Sequence, residues 1–271
     1  MARAYVGVSG WRYARWRGDF YPRGLRQKDE LAYAAERMTS VEINGSFYSL
    51  QRPSSYETWR DATPEDFVFA VKGGRFITHM KQLRGVDTAL ANFFASGILT
   101  LGDKLGPFLW QLPERMTFDP EVLAPFFALL PRTSQDAALL AERHDEKLPE
   151  QRAVTTALTR RPLIHALEPR HESFDTPEAR AFLASHGICT VIADSAGRWP
   201  VLHDETAGFR YVRLHGESRL YGGGYADSTL DRWADQIRRW LSDDHDTYVY
   251  FDNDADGRAP HDALNLLARL A

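Results

Sequence analysis

The sequence predicts a closed (β/α)8 barrel. Short apolar runs rich in Val, Ile and aromatic residues recur eight times, and stretches with apolar residues at three- and four-residue spacing separate most of them. The length of 271 residues suits that fold, typically about 250. The strand-like runs are residues 5–9, 41–44, 67–72, 107–112, 163–168, 188–194, 211–215 and 248–252. Helical spacing marks 87–99, 120–130, 177–186, 230–241 and 261–270. Asp119-Pro120 and Thr176-Pro177 each place a capping side chain before a first-turn proline, and Gly187 stands where a helix should stop before the sixth strand. Residues 134–161 form a polar excursion between strands four and five, read as a helical insertion. Residues 195–209, with Gly, Pro and His, predict an irregular sixth βα unit. A doubly wound open sheet is the alternative, disfavoured because no Gly-x-Gly-x-x-Gly turn follows the first strand. With no internal repeat, low-complexity tract or linker, a single domain over 1–271 is expected.

Composition narrows the function classes. The chain is 44% hydrophobic and 26% charged, as in ordinary globular proteins, with a formal net charge of −4. A whole-surface grip on nucleic acid is disfavoured, while a local basic patch stays open. The lone Cys189 excludes an intrachain disulfide framework and fits a reducing compartment. Met1-Ala-Arg-Ala-Tyr runs straight into a strand without a signal-peptide apolar region, and no apolar run approaches the roughly 18 residues that span a bilayer. A cytoplasmic protein with no membrane partner is expected.

Strand alternation locates candidate site residues, because barrel function gathers at the strand C-terminal ends. Val41 and Ile43 suit the helix-facing side, so Glu42 and Asn44 face the interior. Val212 and Leu214 likewise leave Arg213 and His215 inside, and Val249 and Phe251 leave Asp252 at the mouth. Lys72 follows Val68 and Ala70 inward, and Ser9, Gln111, Glu168 and Asp194 close other strands, with Arg170 just beyond. Charges gathered this way are costly for packing alone, and neighbouring acids can have their pKa values driven apart into an acid and a base.

The loops add ligand-like chemistry. Residues 10–22 interleave Trp11, Tyr13, Trp16, Phe20 and Tyr21 with three arginines, suited to stacking on flat rings and gripping anions. After strand seven, residues 215–225 carry three consecutive glycines, 222–224, where such barrels often bind phosphate. After strand three, Lys72-Gly73-Gly74-Arg75 precedes Thr78-His79, a second cationic, glycine-hinged loop. Other signals fail. Residues 252–257 open like a calcium loop, but the twelfth position is Ala263 where a bidentate Glu is needed. Asn44-Gly45-Ser46 matches a glycosylation pattern without a secretion signal, and Gly-x-Ser-x-Gly, Walker and His-Glu-x-x-His motifs are absent. His79, His171, His215, Glu168 and Asp194 fit no metal-ligand spacing, so neither metal nor other cofactor is expected.

Taken in order, Gly10-Trp11-x-Tyr13-x-x-Trp16, Phe20-Tyr21-Pro22, Val41-Glu42-Ile43-Asn44, Phe47-Tyr48 and Phe67-x-Phe69-Ala70-x-Lys72 form one set of landmarks. Thr78-His79, Leu101-Gly102-x-Lys104-Leu105-Gly106-Pro107, Gln111-Leu112-Pro113, Glu168-x-Arg170-His171-x-Ser173-Phe174, Tyr211-x-Arg213-Leu214-His215-Gly216 and Tyr250-Phe251-x-Asn253 continue it. In these motifs the chain resembles, nearly end to end, the YecE-like family (domain of unknown function seventy-two). The resemblance implies a TIM barrel and no established activity. That barrel is distantly similar to sugar isomerases and to endonucleases acting at abasic sites, which implies sugar or phosphodiester chemistry by fold analogy alone. This chain lacks an obvious equivalent of their dense metal cluster. Where the family usually has Asn this chain has Asp252, so the resemblance implies that this carboxylate is dispensable.

The expectation is a hydrolase or isomerase of unassigned reaction, acting on a phosphorylated, sugar- or nucleotide-like anion at the barrel mouth. Glu42 and Glu168 are the acid/base candidates, with His215 and Asp194 as further catalytic candidates. Lys72, Arg170, Arg213 and Gly223 would hold the anion, and Trp11, Tyr13 and Tyr48 would stack on a ring. Asn44, His79, Gln111, Tyr221 and Asn253 complete the binding set. The alternative is a module that binds nucleic acid or another polyanion across the same mouth without cleaving it.

Overall fold

The computed structural model describes residues 1–203 and 205–271. Its strands are β1 (Ala4–Ser9), β2 (Ser40–Ile43), β3 (Val68–Lys72), β4 (Leu105–Gln111), β5 (His165–Glu168), β6 (Ile188–Thr190), β7 (Ile192–Ser195), β8 (Phe209–Gly216) and β9 (Asp246–Phe251). All pair in parallel, in the order β6-β5-β4-β3-β2-β1-β9-β8-β7. β6 pairs with β5 and β7 with β8, and the single residue Val191 joins them, its N–H donating to the Leu167 carbonyl. They are two halves of one stave, and eight staves close the (β/α)8 barrel that the sequence predicts.

Helices α1 (Glu30–Ala35), α2 (Gly45–Tyr48), α3 (Pro53–Asp61), α4 (Asp87–Ala95), α5 (Pro120–Leu129), α6 (Ser134–Ala141), α7 (Pro177–Ser185), α8 (Asp227–Ser242) and α9 (Ala259–Leu270) lie between and after the strands. The caps act as expected: the Asp119 carboxylate accepts from the Glu121 N–H and the Thr176 hydroxyl from the Ala179 N–H, each ahead of a first-turn proline. α6 is the insertion between β4 and β5, opened by a reciprocal capping box between Thr133 and Asp136. α4 stops short of the predicted residue 99. Gly97 turns there with φ of 108°, and a Cβ on it would come within 2.5 Å of the Pro53 Cα. Between β7 and β8 no helix forms among the described residues, as the irregular composition predicts; residue 204 of that stretch lies outside them. Nor is any helix of the described residues long and apolar enough to cross a membrane.

Alternation sorts each strand. Val41, Ile43, Phe69, Val71, Val212, Leu214, Val249 and Phe251 join the large core between sheet and helices. Ala70, Leu109, Ala166, Cys189, Val191, Tyr211, Tyr248 and Tyr250 fill the barrel interior. That interior is lopsided. Large tyrosines on β8 and β9 cross the barrel toward small residues, and the Tyr250 hydroxyl reaches Ser40 Oγ on β2 at 2.7 Å. Gly7 is aligned with both Ser40 and Tyr250, and a Cβ there would stand 1.7 Å from the Ser40 carbonyl oxygen. Every other residue is thus excluded at the position that lets β1 close against β2. Gly7→Ala is expected to lose at least about 1–3 kcal/mol through overpacking, read from the urea midpoint. An unchanged midpoint would show that the β1–β2 approach is not tight.

Candidate active site at the barrel mouth

Above the tyrosine layer, the inward positions at the C-terminal strand ends become polar. Ser9, Glu42, Lys72, Gln111, Glu168 and Arg213 come from β1, β2, β3, β4, β5 and β8, and Asp252 follows β9. Arg213 is fully buried at their centre. Its Nε and Nη2 donate to the two oxygens of Glu42 at 3.1 and 2.8 Å, a bidentate fork. Nη1 donates to Glu168 at 2.8 Å, and Nη2 also reaches Asp252 at 3.1 Å and Ser9 Oγ at 2.9 Å. Glu42 is completed from below by the Tyr211 hydroxyl at 2.6 Å and from the side by Ser9. Burial alone would weaken the hold of Arg213 on its proton, but Glu42, Glu168 and Asp252 outweigh it and keep the guanidinium charged.

A second tier surrounds this cluster. His215 is buried between two carboxylates, Nδ1 facing Asp252 at 3.1 Å and Nε2 facing Glu168 at 3.4 Å. Arg170 donates from Nε to Glu168 Oε1 at 2.9 Å, with Nη2 in ion-pair contact with the same oxygen at 2.8 Å, and stacks on Trp199, 3.6 Å from the ring centroid. Burial pushes the Glu168 carboxyl up, yet Arg170, Arg213 and His215 together hold it well below the usual range. Asp252 is lowered in the same way, against its burial, chiefly by Arg213 and His215.

Lys72 is the exception. It is only 7% exposed, and among the described residues no carboxylate comes within 4 Å of its ammonium. Its close neighbour is the face of Phe47, 4.6 Å from Nζ to the centroid. Burial and the Arg213 charge lower its pKa to about 8, against the pull of Glu42, Asp252 and Glu168. His79, edge-on to Phe47 at 5.1 Å, is lowered to about 4 by burial and by Lys72 and Arg170.

Residues 5–271 match the family model described as a protein of unknown function, DUF72. The chain belongs to the DUF72 family. YecE of Escherichia coli K12 is 29% identical over 126 residues, 46% of this chain but 43% of YecE, so the match spans less than half of that relative. YunF of Bacillus subtilis is 35% identical over 78 residues, 27% of this chain and 25% of its own. A solved DUF72 structure from Thermotoga maritima superposes with a TM-score of 0.73 at 26% identity, covering 98% of each chain. One from Enterococcus faecalis gives 0.73 at 17% identity, over 99% of this chain and 95% of that one, and shows the fold alone.

Within this DUF72 barrel the structure brings Glu42, Lys72, Gln111, Glu168, Arg170, Arg213, His215 and Tyr221 together. Trp11, Tyr13 and Asn44 line a neighbouring cleft of about 260 Å3 on the β1–β2 side, with Gln51 and Trp59. Asn44 links it to the ring by donating to Ser9 Oγ at 2.7 Å, and its own Oδ1 is buried without a donor. Tyr48 stands on the rim, 77% exposed.

Six expectations are corrected. Asp194 shares the parity of Ile188 and Ile192, not that of Cys189, Val191 and Ala193. It pairs with outward-facing Leu214 and meets Tyr225, so the charge at the strand end is outside the barrel. The Gly223 N–H is taken by the Asp256 carboxylate at 2.9 Å and the Gly222 N–H by the Arg219 carbonyl, so this loop offers an anion no free pair of amides. Asn253 faces backward, donating to the Gly223 carbonyl and to Asp262 on α9, and pins the loop down. Arg213 has all its donors occupied by protein acceptors and does not hold an incoming anion. Glu42 and Glu168 are completely buried with both oxygens committed, Glu42 to Arg213, Tyr211 and Ser9 and Glu168 to Arg213, Arg170 and Gln111, so neither is free to exchange protons with a ligand. Sequence reasoning missed Trp199, which covers Arg170 and His215 and is latched by its indole N–H to Glu114 at 2.8 Å. It sits in the irregular 195–209 stretch, where no periodicity marks a facing side.

Removing one member of a buried ion network leaves its partners uncompensated. Glu168→Gln is expected to cost about 3–5 kcal/mol at pH 7 in urea denaturation. The folded-state pKa is depressed, so this contribution is full above the unfolded value of about 4.3 and is lost as pH falls through the folded one. The gap between wild type and variant should therefore narrow below about pH 4. A gap that is small at pH 7, or constant with pH, would contradict the network.

Proposed function

We propose that the protein is an enzyme acting on a small phosphorylated, sugar- or nucleotide-like molecule at the C-terminal mouth of the barrel. The observation that carries this reading is the distribution of commitments among the buried charges. Glu42, Glu168 and Asp252 are tied to Arg213, with Arg170 and His215 drawn in behind them. What is left facing the opening is cationic: Lys72, and Nη1 of Arg170, which has no partner among the described residues. An amine largely removed from water, with no carboxylate within 4 Å among the described residues, is unfavourable in the empty protein and becomes favourable when an anion arrives.

Gln111, His79 and Tyr221 surround that edge with neutral hydrogen-bonding groups, suited to sugar hydroxyls. The Trp11–Trp59 cleft offers flat apolar walls for a ring. Asp252, which the resemblance implies is dispensable, has a side chain 17% exposed and faces His215 at 3.1 Å, so the imidazole is the group at which a proton can be moved and the carboxylate orients it. Glu42 and Glu168 serve as positioning residues.

Ribose 5-phosphate is expected to raise the melting temperature in a concentration-dependent way, and ribose to do so far less. Lys72→Met should weaken ribose 5-phosphate binding about 10- to 100-fold, the worth of one charged hydrogen bond of about 1.5–3 kcal/mol. Equal response to ribose and its phosphate, or an unaffected Lys72→Met variant, would remove the reading.

A further inference from the structure

An amine at a barrel strand end is a nucleophile whenever it is uncharged, and lysines become so when desolvated or set beside another cation. Lys72 meets both conditions by position. It is the last residue of β3, sits within the mouth with 7% of its surface reached by solvent, and packs on the apolar face of Phe47. Among the described residues no carboxylate comes within 4 Å of its amine, and the three that share its mouth are held by Arg213 from β8. The other lysines of the chain differ. Lys28, Lys81 and Lys147 are exposed, and Lys104 has its amine tied to the carbonyls of Arg60 and Thr63 at 2.6 and 2.7 Å.

We propose that Lys72 is a covalent catalyst that forms an imine with the aldehyde or ketone carbonyl of the substrate, which places that substrate among the carbonyl-bearing sugar phosphates. The uncharged Nζ attacks the carbonyl carbon, forming a C–N bond as the C=O π bond opens onto oxygen. The carbinolamine oxygen then departs as water, carrying both protons of the amine and leaving C=N. When protonated, the imine draws electrons from the adjacent carbon and eases removal of a proton or cleavage of a bond there. Nothing but substrate and water enters the balance. The groups that set the amine's charge are Arg213 from β8, Glu42 from β2, Glu168 from β5 and Asp252 after β9, and the loop residue His79 feels both Lys72 and Arg170. Burial and Arg213 lead among these influences, so the free amine is half-populated at about pH 8.

This inference rests on the proposed anionic site for its substrate, with Nζ holding the anion on arrival and Arg170 Nη1 left to hold the phosphate once Nζ is bonded to the carbonyl carbon, but its first test does not rest on that site. The full-length protein is treated with D-glyceraldehyde, which carries no phosphate, and sodium cyanoborohydride, and modification at each lysine is followed by peptide mass spectrometry. Lys72 should be reduced onto glyceraldehyde several-fold faster than Lys28, Lys81 or Lys147, with a rate that half-saturates near pH 8. Modification at Lys72 no faster than at those exposed lysines overturns the imine, whatever ligand the mouth binds. The same reaction with glyceraldehyde 3-phosphate tests the anionic site separately. Faster capture than with glyceraldehyde supports both readings, while equal capture at Lys72 keeps the imine and removes the phosphate site. Lys72→Arg, checked for native circular dichroism, keeps the positive charge and should abolish capture at this position while leaving the other lysines unchanged.

Discussion

A guanidinium fully removed from water must find acceptors for its donors or the barrel does not form with Arg213 inside it. Taking one such ion from water costs several kcal/mol even after relaxation, and only close, well-oriented counter-charges offset this. Here the offset comes from three strands at once. Glu42 on β2, Glu168 on β5 and Asp252 after β9 all converge on Arg213 of β8. The interaction acts as a keystone for the top of the barrel, fixing the distances between strand ends that are far apart in sequence. It also decides which charges remain available, since acceptors committed to Arg213 cannot neutralise Lys72.

The layer beneath makes that keystone sit at the right height. Tyr211, Tyr248 and Tyr250 are large, and they fit because Gly7, Ser40, Ala70 and Ala166 are small on the strands they approach. Tyr211 joins the two layers through its hydroxyl on Glu42. A tighter or looser tyrosine layer would shift Glu42 along the barrel axis and spoil the bidentate geometry. Packing and electrostatics are therefore coupled at this mouth, and the position of the uncommitted amine depends on both.

The fold was legible because its signals are local. Apolar runs, first-turn prolines after Asp119 and Thr176, and the irregular stretch before β8 each act over a few residues. Glu42 and Arg213 were legible as inward residues because hydrophobic neighbours on both sides define their parity. Their roles were not, since a pairing across 171 residues leaves no local trace. Gly223 and Asn253 misled for the same reason: their partners Asp256 and Asp262 lie 33 and 9 residues on, and a glycine-rich loop looks alike whether its amides are free or capped. Asp194 misleads differently: it stands at a strand end, but the alternation that Ile188 and Ile192 display turns it outward. The short helices α1 and α2 are too brief to show a periodicity at all.

A crystal soaked in inorganic phosphate tests most directly whether Arg213 is a closed structural centre that leaves the opposite edge of the mouth to ligands. Phosphate should appear within hydrogen-bond distance of Lys72 Nζ and Arg170 Nη1, with the Arg213–Glu42 and Arg213–Glu168 contacts still at 2.8 Å. Phosphate seated on Arg213 with its carboxylates displaced, or on the amides of residues 222–224, would contradict it.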